Sequence, residues 1–355
     1  MEKHGVLSLI DTLERDHWLE PDQWIRVLEG HTEETAGYAA ERASEVRDRI
    51  YGRRIFIRGL IEFTNYCRND CYYCGIRRSN QKAARYRLTE EEILSCCQEG
   101  WELGFRTFVL QGGEDGYFTD ERVCSLVRAI KRQHPGCAVT LSIGEKEAEC
   151  YQRFREAGAD RYLLRHETAD PAHYRRLHPP QMSLEHRMEC LRQLKRLGFQ
   201  TGAGMMVGSP GQTVECLVRD MEFLHQLQPE MVGIGPFLPH DETPFRGEKA
   251  GSTAMTLYLL SLVRLMLPEV LLPATTALGT AAEGGREAGI LAGANVVMPN
   301  LSPENVRGKY LLYNNKICTG KEAAENLQEL REAAAKIGFE IAIDRGDHKN
   351  TTGPV

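Results

Sequence analysis

Eight apolar runs, each followed by a stretch of helical apolar period, recur between residues 53 and 343. The strand candidates are 55–64, 107–111, 138–143, 161–166, 200–207, 231–236, 270–275 and 295–298, and the helices fall near 90–103, 121–133, 146–157, 184–197, 213–227, 252–266, 283–292 and 321–337. Helix signals support this spacing. Thr89 and Ser183 stand at N-cap positions, and Gly104, Gly158, Gly198 and Gly338 stand where C-caps belong. Strict strand–helix alternation forces parallel pairing, and eight such units are the count of a closed (β/α)8 barrel. The fold class predicted is α/β: a complete (β/α)8 TIM barrel over 53–343, an N-terminal helical extension over 1–52, and a polar tail over 344–355 expected to be disordered.

A barrel of this kind places its chemistry at the C-terminal ends of its strands. The unusual polar residues of this chain fall there. The first strand runs into Cys67-Arg68-Asn69-Asp70-Cys71-Tyr72-Tyr73-Cys74, a C-x3-C-x2-C pattern. Eleven cysteines in 355 residues produce such a pattern by chance roughly 0.01 times. Three thiolates on one loop form a soft-ligand metal site, and no fourth Cys or His lies within twenty residues to complete a tetrahedral zinc site. Three thiolates and one open position suit a four-iron cluster with one iron free for a substrate. The second strand ends in Gln111-Gly112-Gly113-Glu114-Asp115, where two glycines allow close backbone approach to a ligand. Thr140 and Ser142 alternate onto one face of the third, and Arg165 and Glu167 onto one face of the fourth. His166, on the opposite face, reads as a histidine satisfied between sheet and helix, and the other eight cysteines as small buried hydrophobes. Thr275-Thr276 and Met298 end the last two strands.

Composition excludes more than it assigns. A net charge of −6 argues against nonspecific nucleic-acid binding. No window approaches the roughly 18 apolar residues of a membrane span. The first thirty residues lack the apolar core of a signal peptide, and abundant cysteine fits reduced thiols or metal ligands; a cytoplasmic setting is expected.

The cysteine pattern with Tyr73 before its third member, together with Gly112-Gly113-Glu114, resembles the radical S-adenosylmethionine (radical SAM) superfamily. More narrowly, the stretches 58–67, 163–168, 235–240, 272–278 and 295–300 resemble the HydE family of [FeFe]-hydrogenase maturases, and the likeness runs from about residue 30 to 340. The resemblance implies that Cys67, Cys71 and Cys74 hold a [4Fe–4S] cluster. Its open iron would bind SAM, with Tyr73 near the adenine and Gly112, Gly113 and Glu114 near the methionyl amine. Thr140 is a further candidate cofactor contact, while Ser142, Glu167 and Arg187 match positions that contact SAM. Arg165, Thr275, Thr276, Met298, Tyr310 and Tyr313 match the lining of a deeper substrate cavity. Arg165 and Glu167 are the candidate catalytic residues. The implied reaction is reductive cleavage of SAM to a 5′-deoxyadenosyl radical that acts on an iron–cysteine–carbonyl–cyanide precursor of the hydrogenase diiron subcluster. The implied partners are that small iron-containing substrate, other hydrogenase maturases and a low-potential electron donor. Some members carry an auxiliary cluster on three C-terminal cysteines; only Cys318 stands there, so none is expected.

Competing readings differ in what they need. Biotin synthase requires further cysteines at strand ends, which this chain lacks. Methylornithine synthase requires a carboxylate clamp, for which Arg165 could serve. A non-enzymatic iron–sulfur carrier has little need of Gly-Gly-Glu. A metallohydrolase would need His-x-His at a strand end, and none is present.

Overall fold

The computed structural model describes residues 2–318 and 323–349. Three helices, α1 (Glu2–Asp16), α2 (Pro21–Glu29) and α3 (Glu33–Tyr51), open the chain. They dock onto the helix Thr253–Met266 and its neighbourhood through named contacts: Tyr258 Oη donates to Val27 O at 3.1 Å, His17 Nδ1 meets Leu265 O at 2.9 Å, and Ser44 Oγ donates to Leu291 O at 2.6 Å.

Among the described residues eleven strands follow: β1 (Arg54–Ile57), β2 (Gly59–Thr64), β3 (Thr107–Gly112), β4 (Ala138–Ser142), β5 (Arg161–Leu163), β6 (Gln200–Ala203), β7 (Met206–Val207), β8 (Met231–Val232), β9 (Gly235–Pro236), β10 (Val296–Val297) and β11 (Glu340–Ala342). All ladder pairings are parallel. β2, β3, β4, β5, β6 and β8 pair in that order, β7 pairs with β9, and β1 lies between β10 and β11. Bridges Met231–Leu271 and Pro273–Val296 carry the hydrogen bonding onward from β8 to β10, and Leu60 bridges Asn300. The result is an α/β fold built on parallel sheet, with β3 and β4 almost wholly buried as a parallel strand covered on both faces requires.

Several expected strands are interrupted. The run 55–64 breaks at Arg58, because its first half pairs with β10 and β11 and its second half with β3. The run 200–207 breaks at Gly204, whose φ of 152° and missing side chain admit Gly233 O; a Cβ there would lie 2.0 Å from that oxygen. The run 161–166 stops at Leu163, and 270–275 contributes only bridges. Helix Pro171–Leu177 and β11 carried no sequence expectation. Capping follows the sequence: Thr89 Oγ1 accepts from Glu92 N at 3.2 Å and Thr89 N donates to Glu92 Oε2 at 2.7 Å, a capping box.

The tail expected to be disordered from 344 is ordered through Lys349. Asp347 pairs with the buried Arg161 at 2.7 Å and with Arg345 at 2.8 Å, and Arg345 reaches Asp160 at 3.0 Å. A buried arginine needs a counter-charge, and the tail supplies it. Residues 350–355 lie outside the described residues.

Candidate active site

The loop after β2 is shaped by its own polar side chains. Asp70 accepts from Arg77 Nε at 2.8 Å, Ser79 N at 3.0 Å and Ser79 Oγ at 2.6 Å. Arg85 donates to the carbonyls of Asn65, Ile76 (2.8 Å), Arg77 (2.6 Å) and Asn80 (3.2 Å). These contacts satisfy carbonyls that a loop otherwise leaves unpaired. Gly75, next after the third cysteine, could not be larger: a Cβ would lie 2.1 Å from Leu311 O.

So held, Cys67, Cys71 and Cys74 face a cavity of about 280 Å³ at the C-terminal ends of the strands. All three are free thiols of intermediate exposure. Burial pushes the Cys74 thiol up to about 12, with Cys67 as the next cause, and pushes Cys71 well up, with Cys74 next. Thiols so placed ionise only against added positive charge, which a cluster of iron ions provides. Among the described residues no three His, Cys, Asp or Glu side chains are grouped to hold a single metal ion. A [4Fe–4S] cluster takes its thiolates on different irons, so three thiols around one cavity fit that donor set.

The second-strand motif packs directly behind the loop. A Cβ on Gly113 would lie 2.2 Å from Tyr66 O and 2.7 Å from Cys67 Cβ. Glu114 Oε1 accepts from Glu145 N at 2.9 Å, and its Oε2 from Arg68 Nε at 2.8 Å. Gly144, at φ 82°, makes room for that carboxylate. Arg187 Nη1 donates to Arg165 O at 2.9 Å, and its Nε pairs with Glu145. One arginine thus joins the ends of the third and fourth strands. Arg165 donates to Met205 O at 2.7 Å and pairs with Glu167 at 3.0 Å. Glu167 takes a positive φ of 65°, rare for a residue with a side chain and frequent at functional sites. Tyr73 Oη meets His178 Nε2 at 3.2 Å, and burial raises its phenol.

Of the sequence candidates, Cys67, Cys71, Cys74, Tyr73, Gly112, Gly113, Glu114, Ser142, Arg165, Glu167, Arg187, Tyr310 and Tyr313 line this cavity. Thr140, Thr275, Thr276 and Met298 are not among its lining. Thr140 shares the face of Ser142 but sits one layer deeper, its hydroxyl buried. Thr275 turns its hydroxyl to Ile234 O at 3.3 Å and leaves the wall to Ala277. Met298 packs on the cluster of Tyr51, Phe56 and Met231. His166 lies where the sequence put it, behind the sheet, 3.3 Å from Asp220.

Sequence reasoning missed the residues that hold the wall. Buried Lys316 pairs with buried Glu62 and donates to Tyr310 O at 3.1 Å, while Asn300 Nδ2 donates to Glu62 Oε2 at 2.8 Å. This pins the segment carrying Tyr310 and Tyr313. A charged Glu62 inside an apolar strand was the available signal. Apolar Leu163, Leu164, Met206 and Leu312 are also part of the lining.

Comparison with known proteins agrees with the geometry. A profile described as the Radical SAM superfamily matches residues 61–224. The HydE subunit of the [FeFe]-hydrogenase maturase of Thermotoga maritima is 50% identical over 307 residues, 86% of this chain and 87% of that protein. The 3-methylornithine synthase of Methanosarcina barkeri is 34% identical over 76% of this chain and 75% of its own. Among solved structures, methylornithine synthase (PylB) superposes with a TM-score of 0.82 at 28% identity, covering 94% of this chain and 97% of that one. The maturase HydG superposes at 0.79 with 19% identity, covering 95% of this chain and 76% of that one, a likeness of fold alone.

Proposed function

Because this chain belongs to the radical SAM superfamily and, within it, to the HydE maturases of [FeFe]-hydrogenase, we propose that its strand-end cavity binds SAM beside a [4Fe–4S] cluster and transforms an iron–cysteine–carbonyl–cyanide precursor of the diiron subcluster. The observation that carries this reading is the convergence of Cys67, Cys71 and Cys74 with Glu114, Arg165 and Glu167 around one cavity.

Cluster and SAM together supply the radical chemistry when bound: one-electron cleavage of the S–C5′ bond to methionine and a 5′-deoxyadenosyl radical. The protein supplies position and exclusion. Cys67, Cys71 and Cys74 hold the cluster. Glu114, fixed by Arg68 and by Glu145 N, accepts from the methionyl amine beside Gly112 and Gly113. Tyr73 borders the adenine, and Ser142, Glu167 and Arg187 complete the SAM contacts. Arg165, paired with Glu167, would supply the cation that meets an anionic iron–cyanide species in the part of the cavity that Tyr310 and Tyr313 line. The same reading gives Thr140 a part in SAM binding and Thr275, Thr276 and Met298 a part in substrate binding, although none of the four is in the lining of the cavity. Leucines and Met206 keep water from the radical.

The supporting frame is read as a complete (β/α)8 barrel over 53–343, since parallel pairings run from β2 to β10 and back to β1. Residues 1–52 form its helical extension. Among the described residues no helix is long and apolar enough to cross a membrane; a cytoplasmic setting with other maturases completes the reading. One cysteine beyond residue 216, Cys318, does not provide the ligands of an auxiliary cluster.

An anaerobic maturation assay tests this. Apo-hydrogenase, the other maturases, SAM and this protein should yield active hydrogenase, and Cys71→Ser should abolish it. SAM cleavage without maturation would transfer the reading to amino-acid substrates, the alternative favoured by the likeness to methylornithine synthase. A loaded cluster without SAM cleavage would leave only an iron–sulfur carrier.

A further inference from the structure

The segment 65–87 carries six basic side chains, Arg68, Arg77, Arg78, Lys82, Arg85 and Arg87, against one acid, Asp70: a local charge of +5 in a chain of net charge −6. Acids from elsewhere answer part of it. Glu114 pairs with Arg68, Glu242 with Lys82 and Asp115 with Arg87. With Arg122 added from the helix Asp120–Gln133, and Asp241 acting on Lys82 beside Glu242, seven cations face five anions, a surplus of two positive charges. The two acids next to Arg122 are engaged elsewhere, Asp120 with Lys146 and Glu121 with Arg153.

Arg85, Arg87 and Arg122 of this set border exposed aromatic surface. Among the described residues four large apolar side chains are exposed, and two of them are here: Tyr66 at 36% and Tyr117 at 48%. Arg87 lies over both rings, 3.9 Å from the Tyr66 centroid and 4.8 Å from that of Tyr117, and Arg122 covers Tyr117 at 4.0 Å. Arg78 N donates to Asn69 O at 2.9 Å, which sets that exposed residue beside the cavity lining. Tyr and Arg are the residues that dominate protein-binding surfaces. Tyr66 is the chain neighbour of Cys67, so a partner seated here is separated from the cluster ligands by little protein.

We infer that this arginine–tyrosine face is the docking surface for an acidic one-electron carrier protein. The inference rests on the radical SAM reading. Cleavage of each SAM consumes one electron that neither substrate nor protein supplies. The carrier is oxidised by one electron, which enters at the cysteine site and is spent in breaking the S–C5′ bond to release methionine. Opposite charge steers the encounter and fixes its orientation.

The test compares two reductants on the cluster-loaded protein: a reduced acidic flavodoxin and dithionite, with 5′-deoxyadenosine as readout. Arg78→Glu combined with Arg122→Glu changes two exposed residues outside the SAM contacts. At low salt it should slow flavodoxin-driven turnover about tenfold and leave dithionite-driven turnover unchanged, and the difference should shrink in high salt. Arg331→Glu, on the distant helix Leu327–Lys336, should change neither rate. Equal flavodoxin-driven rates in wild type and double variant, or an equal loss in Arg331→Glu, would overturn the docking surface while leaving radical SAM chemistry intact. Failure of dithionite to drive cleavage in the wild type would overturn the underlying reading, and the inference with it.

Discussion

At the scale of single residues, Gly113 shows how sterics can govern a redox site. Its place is set by space, since the atoms a Cβ would meet are Tyr66 O and Cys67 Cβ, the root of the cysteine loop. Backbone does not yield as a flexible side-chain tip does. Gly113→Ala must therefore push Cys67 away from its partners. The expected outcome is a folded chain, with all three cysteines, that binds substoichiometric iron and cleaves SAM at least tenfold more slowly, a rise of about 1.4 kcal/mol or more in the barrier. Gly116→Ala is the matched control, because nothing lies within 4 Å of its added carbon. Iron analysis of the two reconstituted variants decides the matter: equal loading would remove the steric role given to Gly113.

At the scale of elements, the C-terminal segment was the least legible part of the chain. Residues 344–349 are polar and have no period, so nothing local predicts order. Their order comes from Arg161, nearly two hundred positions away, whose buried guanidinium donates to Asp347 at 2.7 Å and to the Arg345 carbonyl at 2.7 Å. Removing the acid leaves that charge buried without its counter-ion. Asp347→Ala should cost about 3 kcal/mol of unfolding free energy, whereas Asp344→Ala, whose pair with Arg54 is well exposed, should cost roughly 0.5 kcal/mol. Urea denaturation of the two variants checks the contrast, and similar midpoints would show that the tail only lies against the sheet. The same distinction separates what the sequence revealed elsewhere. Strand β3, the caps at Thr89 and Ser183, and the positive φ of Gly104 and Gly158 depend on neighbours in the chain, and local pattern captures them. The break at Arg58, the narrow passage of Gly204 past Gly233 and the withdrawal of Thr275 from the cavity depend on partners distant in sequence. Thr140 shows the limit of alternation, which gives a residue's face but not its depth. The cysteine loop was legible because its three cysteines lie within eight residues; the Glu62–Lys316 pair that steadies the Tyr310 segment spans 254.

At the scale of the whole molecule, buried histidines set the response to acid. Desolvation lowers His173 to about 4 and His178 to about 3, the latter helped by the nearby Arg187. Burial shifts His31, His134, His225, His240 and His348 in the same direction. The sign follows from which state takes up protons. Above pH 6.5 these rings are neutral in both states and contribute no pH dependence. Below it the unfolded chain binds protons that the folded rings refuse, so stability falls with pH. Each strongly buried ring contributes a slope approaching about 1.4 kcal/mol per pH unit until its folded value is reached. The carboxylate held low by its arginines, Asp347, adds loss only at more acid pH, below its unfolded value near 4. The interval from pH 6.5 to 5 is therefore where the histidines weigh most. Apo-protein should lose urea resistance steadily across it. His173→Gln can keep contact with the hydroxyls of Thr168 and Ser209, which lie 3.1 Å from the two ring nitrogens, and removes one titrating ring. Its stability should fall less steeply, by about 1 kcal/mol per pH unit. Parallel stability–pH curves for wild type and variant would show that His173 takes up its proton in the folded state, and that the acid sensitivity of this fold resides elsewhere.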